Sequence, residues 1–275
     1  MDSRYIFICE DSLEGIFSCV YTAWEARVGH GNVELRTWED DNLELFCEYR
    51  KVDTDLEKAE KVMKTLKTRL GEGITECICY AAASCDREKA SAIYRTLVDC
   101  LSKHGASYGK KTLENRKNPW VRKVLELHRN VWNEYHHYLG FLRFRQITEK
   151  VLFSTISPKN DILLLFQEHF GNRYSGEYWI IYDEVRGKAL VHAPYMQCSV
   201  YSGDRTELEQ LSKMEDREKD YEDLFQNFCR SISIRERENS QLQRQNLPLW
   251  FRTHMVEFNK NYIHFSACDI KIERN

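Results

Sequence analysis

The sequence has little of what the commonest nucleotide-binding and hydrolytic motifs require. Its 275 residues include 12 glycines and 4 prolines, so a glycine-rich loop that cradles phosphates is hard to place. No segment fits the phosphate-binding loop, the dinucleotide fingerprint, the nucleophile elbow or the zinc-binding helix motif. The sequence therefore argues against nucleotide hydrolysis and nicotinamide redox chemistry.

Long apolar runs are also lacking. The longest, such as 162–166, are far too short to span a bilayer. Met1-Asp2-Ser3-Arg4 does not resemble a signal peptide. We expect a cytoplasmic protein with no membrane partner, in which the 10 cysteines are reduced. The Cys77-Ile-Cys79 spacing lacks a second ligand pair, which favours buried structural thiols over a metal or iron–sulfur site.

A strong excess of positive charge is absent too. The formal net charge is -3 and the pI is near 6.3, unlike a strongly basic nucleic-acid binder. The charge is segregated, however: 34–60 and 204–223 are rich in acids, whereas 115–145 and 230–252 are rich in bases. Any nucleic-acid site should therefore be a local basic patch on an otherwise acidic body.

Apolar periodicity predicts an α+β fold with a helical N-terminal region. A strand at 5–9 precedes a helix capped by Asp11 or Ser12, and Pro119 begins a long helix that ends near Tyr138, before Gly140. Strands at 141–147, 151–156, 177–182 and 188–192, with a helix at 162–170, then form a β-β-α-β-β core. This order predicts a central, largely antiparallel sheet covered by helices.

Shorter signals complete the predicted organisation. Further helices are expected at about 56–70, 74–83, 86–104, 205–230 and 249–258, a loop at 193–204, and an edge strand at 262–272. We divide the chain into an N-terminal α/β region at 1–115, a core at 116–260 and a tail at 261–275.

Candidate catalytic residues lie near the ends of these elements. His136, His169 and Asp183 could act as general acid, general base or metal ligands. A third metal ligand would have to come from Glu134, Glu168 or Asp183. The alternative for His136 is a hydrogen bond to a carbonyl at the helix C-terminus.

Cationic residues suggest a second kind of site. Arg143 and Arg145 should project to one face of a strand, where guanidinium groups bind phosphate and stack on bases. The alternatives are ion pairs with carboxylates, including a pair between Asp183 and Arg186 across a hairpin turn. A basic loop before a helix start at Pro248 would also suit an anion. The candidate nucleic-acid-binding residues are Arg143, Arg145, Arg173, Arg186, Arg237, Asn239 and Arg244.

Four segments occur in a set order: EYHHYLGFLRF at 134–144, EHFGNRY at 168–174, WIIYDEVRG at 179–187 and IREREN at 234–239, followed by Pro248. With YIFI at 5–8 and LEG at 13–15, they resemble the uncharacterised family of DNA repair and DNA metabolism proteins over about 5–258. One departure follows Pro248, where the family usually has lysines and a Tyr-Trp pair, and this chain has Leu249-Trp250-Phe251-Arg252.

The resemblance implies a role in DNA metabolism. Members of that family are encoded beside a radical-SAM DNA modification or repair protein, and a similar core is fused to uracil-DNA-glycosylase-type domains. No reaction or cofactor follows from it. Three hypotheses stay open: a DNA-binding protein acting with the radical-SAM partner, an enzyme acting on damaged DNA through a His/Asp site, and a protein-binding adaptor that uses the acidic surface at 204–223.

Overall fold

The computed structural model describes residues 4–39, 42–102, 113–148, 150–202 and 239–258. The predicted helix at 205–230, the acidic surface at 204–223, Arg237 and the predicted edge strand at 262–272 lie outside these ranges. The chain divides into two compact units. Unit 1 comprises 1–134 with 159–161, and unit 2 comprises 135–158 with 162–275.

Unit 1 is built on a parallel three-stranded sheet in the order β2-β1-β3, with β1 in the centre. Ile6 and Phe7 of β1 are fully buried, as expected for a strand covered on both faces. The elements are β1 Arg4–Cys9, α1 Leu13–Glu25, β2 Val33–Arg36, β3 Cys47–Val52, α2 Leu56–Leu70, α3 Glu72–Ala82, α4 Lys89–Ser102 and α5 Pro119–Phe141. Helix α5 continues into unit 2 from residue 135.

The start of α1 follows directly from the sequence. Ser12 is the N-cap, and its hydroxyl accepts a hydrogen bond from the Gly15 N–H at 3.0 Å, which confirms one of the two predicted caps. A Cβ on Gly15 would lie 2.5 Å from the Glu10 carbonyl oxygen. Glycine is therefore required for the chain to turn this tightly from β1 into α1.

The second strand–helix junction of unit 1 differs from the prediction. The sequence shows no clear strand pattern before α2, yet Cys47–Val52 pairs with β1 along its whole length. The cap of α2 is Asp55, whose carboxylate accepts the N–H groups of Glu57 and Lys58. The helix predicted at about 56–70 is confirmed, and its Leu66 is almost completely buried.

Unit 2 contains a five-stranded sheet in the order β4-β5-β6-β7-β8. Three of its pairings are antiparallel and one, β5 with β6, is parallel, which confirms the predicted α+β fold with a largely antiparallel sheet. The elements are β4 Arg145–Thr148, β5 Val151–Ile156, α6 Phe166–Arg173, β6 Tyr178–Asp183, β7 Lys188–His192, β8 Ser199–Ser202 and α7 Ser240–Asn246. Short 3-10 helices occur at Leu163–Leu165, Leu249–His254 and Val256–Phe258.

Two details of unit 2 correct the sequence analysis. The predicted loop at 193–204 contains β8, which pairs with β7. All four residues of β8 are exposed, so this strand does not need the alternation of buried apolar residues by which strands are predicted. Helix α5 continues past Gly140 to Phe141, and β4 begins only at Arg145. Arg143 therefore lies between a helix and a strand, and the prediction that it shares a strand face with Arg145 is wrong.

Aromatic side chains pack the helix α6 against this sheet. Trp179 is fully buried, lies 6.4 Å from the Phe170 ring and is stacked on His192 at 5.0 Å between centroids. Phe144 contacts both Phe170 and Trp179. This packing fixes β6, whose carboxyl end carries the candidate site. None of the helices in the described part of the chain combines the length and hydrophobicity of a membrane span.

Candidate functional site at the ends of two parallel strands

Strands β5 and β6 run parallel, so their carboxyl ends lie at the same edge of the sheet. Ile156 pairs with Asp183 in the last register position, and the Glu184 N–H donates to the Ile156 carbonyl at 3.1 Å. Ser157 and Glu184 are thus held side by side. Open sheets commonly bind ligands beyond the carboxyl ends of parallel strands, so this edge of the sheet is a candidate ligand site.

The turn after β6 is organised by a buried carboxylate. Asp183 is fully buried, and its Oδ1 accepts the N–H groups of Val185 at 3.0 Å and Arg186 at 3.2 Å. Its Oδ2 accepts Nη1 of Arg186 at 3.0 Å, and the same Nη1 donates to the Pro158 carbonyl at 3.2 Å. Gly187, with φ at 65°, completes the turn. The ion pair between Asp183 and Arg186, one of the predicted alternatives, is present.

Burial dominates the acidity of this carboxyl group. Loss of water contact raises the pKa of Asp183, although the Arg186 guanidinium and the turn N–H groups act in the opposite direction. The carboxyl group therefore takes up a proton more readily than an exposed aspartate does. Strongly perturbed carboxyl groups are frequent at functional sites and also occur in structural ion pairs.

A second group of polar atoms meets beside this turn. The Ser157 Oγ lies 2.6 Å from Nε2 of His254 and is hydrogen-bonded to Oε1 of Glu184. The same Nε2 lies 3.3 Å from Oε1 of Glu184. The Ser157 N–H donates to the Tyr138 hydroxyl at 3.2 Å. We call Ser157, Asp183, Glu184, Arg186 and His254 the strand-end cluster.

The donor and acceptor roles in this cluster follow from the carboxylate. An ionised carboxylate only accepts hydrogen bonds, so the Ser157 hydroxyl donates to Glu184. His254 then donates its Nε2–H to the Ser157 oxygen. Both partners of the imidazole lie at one ring nitrogen, unlike a Ser-His-Asp relay, which uses the two nitrogens separately. The arrangement can share a proton among a hydroxyl, a carboxylate and an imidazole, as acid–base chemistry requires.

Of the predicted cationic residues, Arg143 is held within the protein. Its Nη2 pairs with the Glu257 carboxylate at 2.8 Å, and its Nη1 donates to the Gly140 carbonyl at 2.9 Å. Arg145 lies over the Phe153 ring, 5.4 Å from its centroid. These contacts show structural uses for both side chains, and their nucleic-acid role stays a prediction.

Among the candidate nucleic-acid-binding arginines that the structure describes, Arg173 and Arg244 are the exposed ones. Arg173 ends α6 and lies 5.6 Å from the Tyr174 ring centroid. Arg244 is in the last turn of α7. Within the described ranges neither makes an ion pair. Asn239 caps α7 by accepting the Leu242 N–H at 2.9 Å, which is a structural role.

The two predicted histidines do not join Asp183. His136 is exposed on α5 and meets the Tyr135 ring edge-on. His169 contacts the Phe170 ring, and its buried Nε2 has no hydrogen-bond partner among the described residues. Asp183 is instead hydrogen-bonded to Val185 and Arg186 within its turn and paired in the sheet with Ile156 and Lys188. The described ranges contain no group of three residues able to hold a metal ion.

Glu134, considered as a metal ligand, has a structural role in unit 1. Its buried carboxylate accepts the backbone N–H groups of Lys159 at 2.8 Å and Asn160 at 2.9 Å, together with the Asn160 side-chain amide at 2.6 Å. Asn160 in turn accepts the Cys85 N–H at 3.0 Å. These bonds hold 159–161 against α5.

Three members of the strand-end cluster were missed in the sequence. Ser157, Glu184 and His254 are separated by 27 and 70 residues, and His254 lies in the segment predicted as the helix at 249–258. Ser157 and Glu184 could have been found as the polar residues that follow two predicted strands, but only if those strands had been paired as parallel. No local signal marks His254.

Comparison with known families places the chain. A family model described as a domain of unknown function, DUF4130, matches residues 87–257, which is well over half of the 275 residues. The protein therefore belongs to the DUF4130 family. The match includes α4, α5 and the strand-end cluster, and it leaves β1 to α3 outside. No curated protein matches the chain.

Proposed function

We propose that this protein acts in DNA metabolism, with unit 2 binding a nucleic-acid strand and the strand-end cluster serving as the acid–base centre of that site. The observation that carries the proposal is the meeting of a hydroxyl, a carboxylate and an imidazole at the Ser157 oxygen. Membership of a family without a known function neither adds to this proposal nor opposes it.

The cluster is held in place and remains reachable. The Glu184 side chain keeps 40% of its surface exposed and His254 keeps 25%, so a ligand can approach both. Asp183 and Arg186 fix the turn that carries Glu184, and the Tyr138 hydroxyl fixes Ser157. A general acid or base has to lie within hydrogen-bond reach of the proton it transfers, which calls for such fixed geometry.

The choice of nucleic acid as the substrate class rests on charge and on the sequence resemblance. Arg173 and Arg244 are exposed and lack carboxylate partners in the described ranges, so phosphates can reach them. Phosphate contacts position a strand without reading its sequence. The resemblance to DNA repair and DNA metabolism proteins supplies DNA as the expected polymer.

Binding is tested with fluorescein-labelled single- and double-stranded 20-nucleotide DNA, by fluorescence anisotropy across a salt series. We expect affinity to fall steeply as salt rises, since each phosphate contact releases counterions. The double variant Arg173→Gln/Arg244→Gln should reduce the slope of log K against log [salt] by about 2. Lys64→Gln, an exposed change in unit 1, is the matched control. No binding at about 50 mM salt would remove the proposal.

The acid–base assignment is tested on end-labelled DNA carrying uracil or an abasic site. Product formation on a denaturing gel should fall at least roughly 100-fold for His254→Gln and for Glu184→Gln, the usual range for loss of a general acid or base. His136→Ala distinguishes this assignment from the one made in the sequence. If His136→Ala abolishes turnover while His254→Gln keeps it, the strand-end cluster is not the reactive centre.

A radical-SAM protein is the proposed partner, on the sequence resemblance alone. Co-expression with such a protein, followed by affinity purification with and without nuclease treatment, tests this separately. A complex that survives nuclease supports direct contact. Recovery of the radical-SAM protein only through bridging DNA would leave nucleic-acid binding in place and remove the partnership.

A further inference from the structure

A cavity in unit 1 lies between α1 and α2, outside the strand-end cluster. Its volume is ≈ 660 Å³, within the range of sites that hold small organic ligands. The floor is aliphatic and is formed by Val62 and Leu66 of α2 with Leu97 and Leu101 of α4. Such a floor excludes water from the part of a ligand that enters it, and it favours an apolar body.

One wall of this cavity is aromatic. Tyr21 and Trp24 of α1 line it, and 36% of the Trp24 surface is exposed. The ammonium groups of Lys58 and Lys61 lie 5.7 and 5.8 Å from the Tyr21 ring centroid. The wall can therefore contact the body of a ligand while the lysines stay close to any charge that it carries.

The charge at the mouth is unbalanced. The described lining residues include three cations, Arg27, Lys61 and Arg69, and one acid, Glu25. The ion pair of Lys61 with Glu57 is a long one, at 4.0 Å, between two exposed side chains. Arg27 and Arg69 are exposed, and neither has a carboxylate partner in the ranges that the structure describes.

Arg27 has a further feature. Its φ is 52°, a left-handed backbone conformation that is uncommon for a residue with a side chain. Such conformations persist where the surrounding structure holds them, and they concentrate at ligand sites. Arg27 lies just beyond the end of α1 and lines the cavity together with Trp24.

From these observations we propose that the cavity between α1 and α2 binds a small amphipathic anion, with an aliphatic or aromatic body against the apolar floor and a carboxylate, sulfonate or phosphate head on Arg27 and Arg69. The aliphatic floor and the cations line the same cavity, which is the combination that an amphipathic anion requires. This site does not depend on the function proposed for unit 2.

The probe is laurate, titrated below its micelle concentration into the full-length protein by isothermal calorimetry. We expect saturable binding near one equivalent. Dodecanol, which has the same chain and no charge, should bind about fivefold or more weakly, the size expected for one partly exposed ion pair. Equal affinity for laurate and dodecanol would overturn the role of the arginines.

Variants locate the site. Arg69→Gln and Arg27→Gln should each weaken laurate binding severalfold, and Thr65→Trp, which adds volume on the cavity wall, should weaken it at least tenfold. Lys64→Gln, exposed on the same helix and not part of the lining, should leave laurate binding unchanged. Lys64 and Arg69 are exposed and Thr65 is half-buried, and circular dichroism of each variant checks that it folds.

A displacement experiment tests whether nucleic acid, and not a small anion, occupies the cavity. A single-stranded oligonucleotide should not displace 8-anilinonaphthalene-1-sulfonate from the cavity, whereas laurate should. Displacement by the oligonucleotide alone, or laurate binding that none of the cavity variants changes, would overturn the proposal. Neither result bears on DNA binding by Arg173 and Arg244.

Discussion

Replacing Arg186 with glutamine separates its structural role from the nucleic-acid role predicted in the sequence. The side chain pairs with the fully buried Asp183. Removing one partner of a buried pair leaves an uncompensated charge and usually costs about 3–5 kcal/mol. The Arg186 side chain keeps 20% of its surface exposed, and two backbone N–H donors to Asp183 remain, so we expect a cost near the lower end, roughly 3 kcal/mol.

The pH dependence of this cost has a definite sign. The pKa of Asp183 is raised in the folded protein, so its contribution to stability is fully present below the unfolded value of about 4 and declines as pH rises through the folded pKa. Losing Arg186 removes an influence that lowers this pKa. The stability gap between wild type and Arg186→Gln should therefore widen from about pH 4 upward.

Urea unfolding of the full-length protein, followed by tryptophan fluorescence at several pH values, measures this gap. The double variant Asp183→Asn/Arg186→Gln removes the charge while an amide oxygen can still accept the turn N–H groups, so it should recover most of the lost stability. Arg173→Gln, at an exposed position, should change stability by less than about 0.5 kcal/mol. If Arg186→Gln is as stable as wild type, or if the double variant recovers nothing, the buried pair is not what holds this turn.

Two further predictions concern unit 1. Gly15→Ala should destabilise the protein by about 1–3 kcal/mol, because the new Cβ would lie 2.5 Å from the Glu10 carbonyl oxygen. Gly73→Ala, at a helical position with open space, should stabilise the protein by up to about 1 kcal/mol. Equal urea midpoints for the two variants would show that the Cβ of residue 15 meets no such obstacle. Burial raises the pKa of Cys77 and Cys79 to about 11. Iodoacetamide at about pH 8 should therefore label the exposed Cys85 before Cys77 and Cys79, as followed by peptide mass spectrometry; equally fast labelling of Cys77 would show that α3 opens readily.

Much of the fold could be predicted because its elements carry local signals. Ser12 is a cap followed by a tight glycine turn, and α2 has a regular apolar row. Strand β3 was missed because its sequence, CEYRKV, alternates charged and apolar residues weakly. Its place beside β1 depends on pairing at a distance, and β8 was missed because all four of its residues are exposed.

The site could be predicted only where its partners are close in the sequence. Asp183 and Arg186 are three residues apart in a turn, so their pairing was foreseen as an alternative. The contact of Ser157 with Glu184 depends on two strands being parallel neighbours, and the contact with His254 depends on where a later segment folds. These hydrogen bonds depend on which strands and segments become neighbours in the folded protein. The spacing of residues along the sequence does not reveal that arrangement.

The central claim is that nucleic acid binds at the strand-end cluster, and photo-cross-linking tests it most directly. A single-stranded oligonucleotide carrying 5-iodouracil is irradiated with the full-length protein, and the linked peptides are identified by mass spectrometry. We expect the adducts in peptides that contain 157–158, 184–186 or 250–254, where Trp250 offers an exposed ring. Adducts confined to unit 1, or none at low salt, would contradict the account.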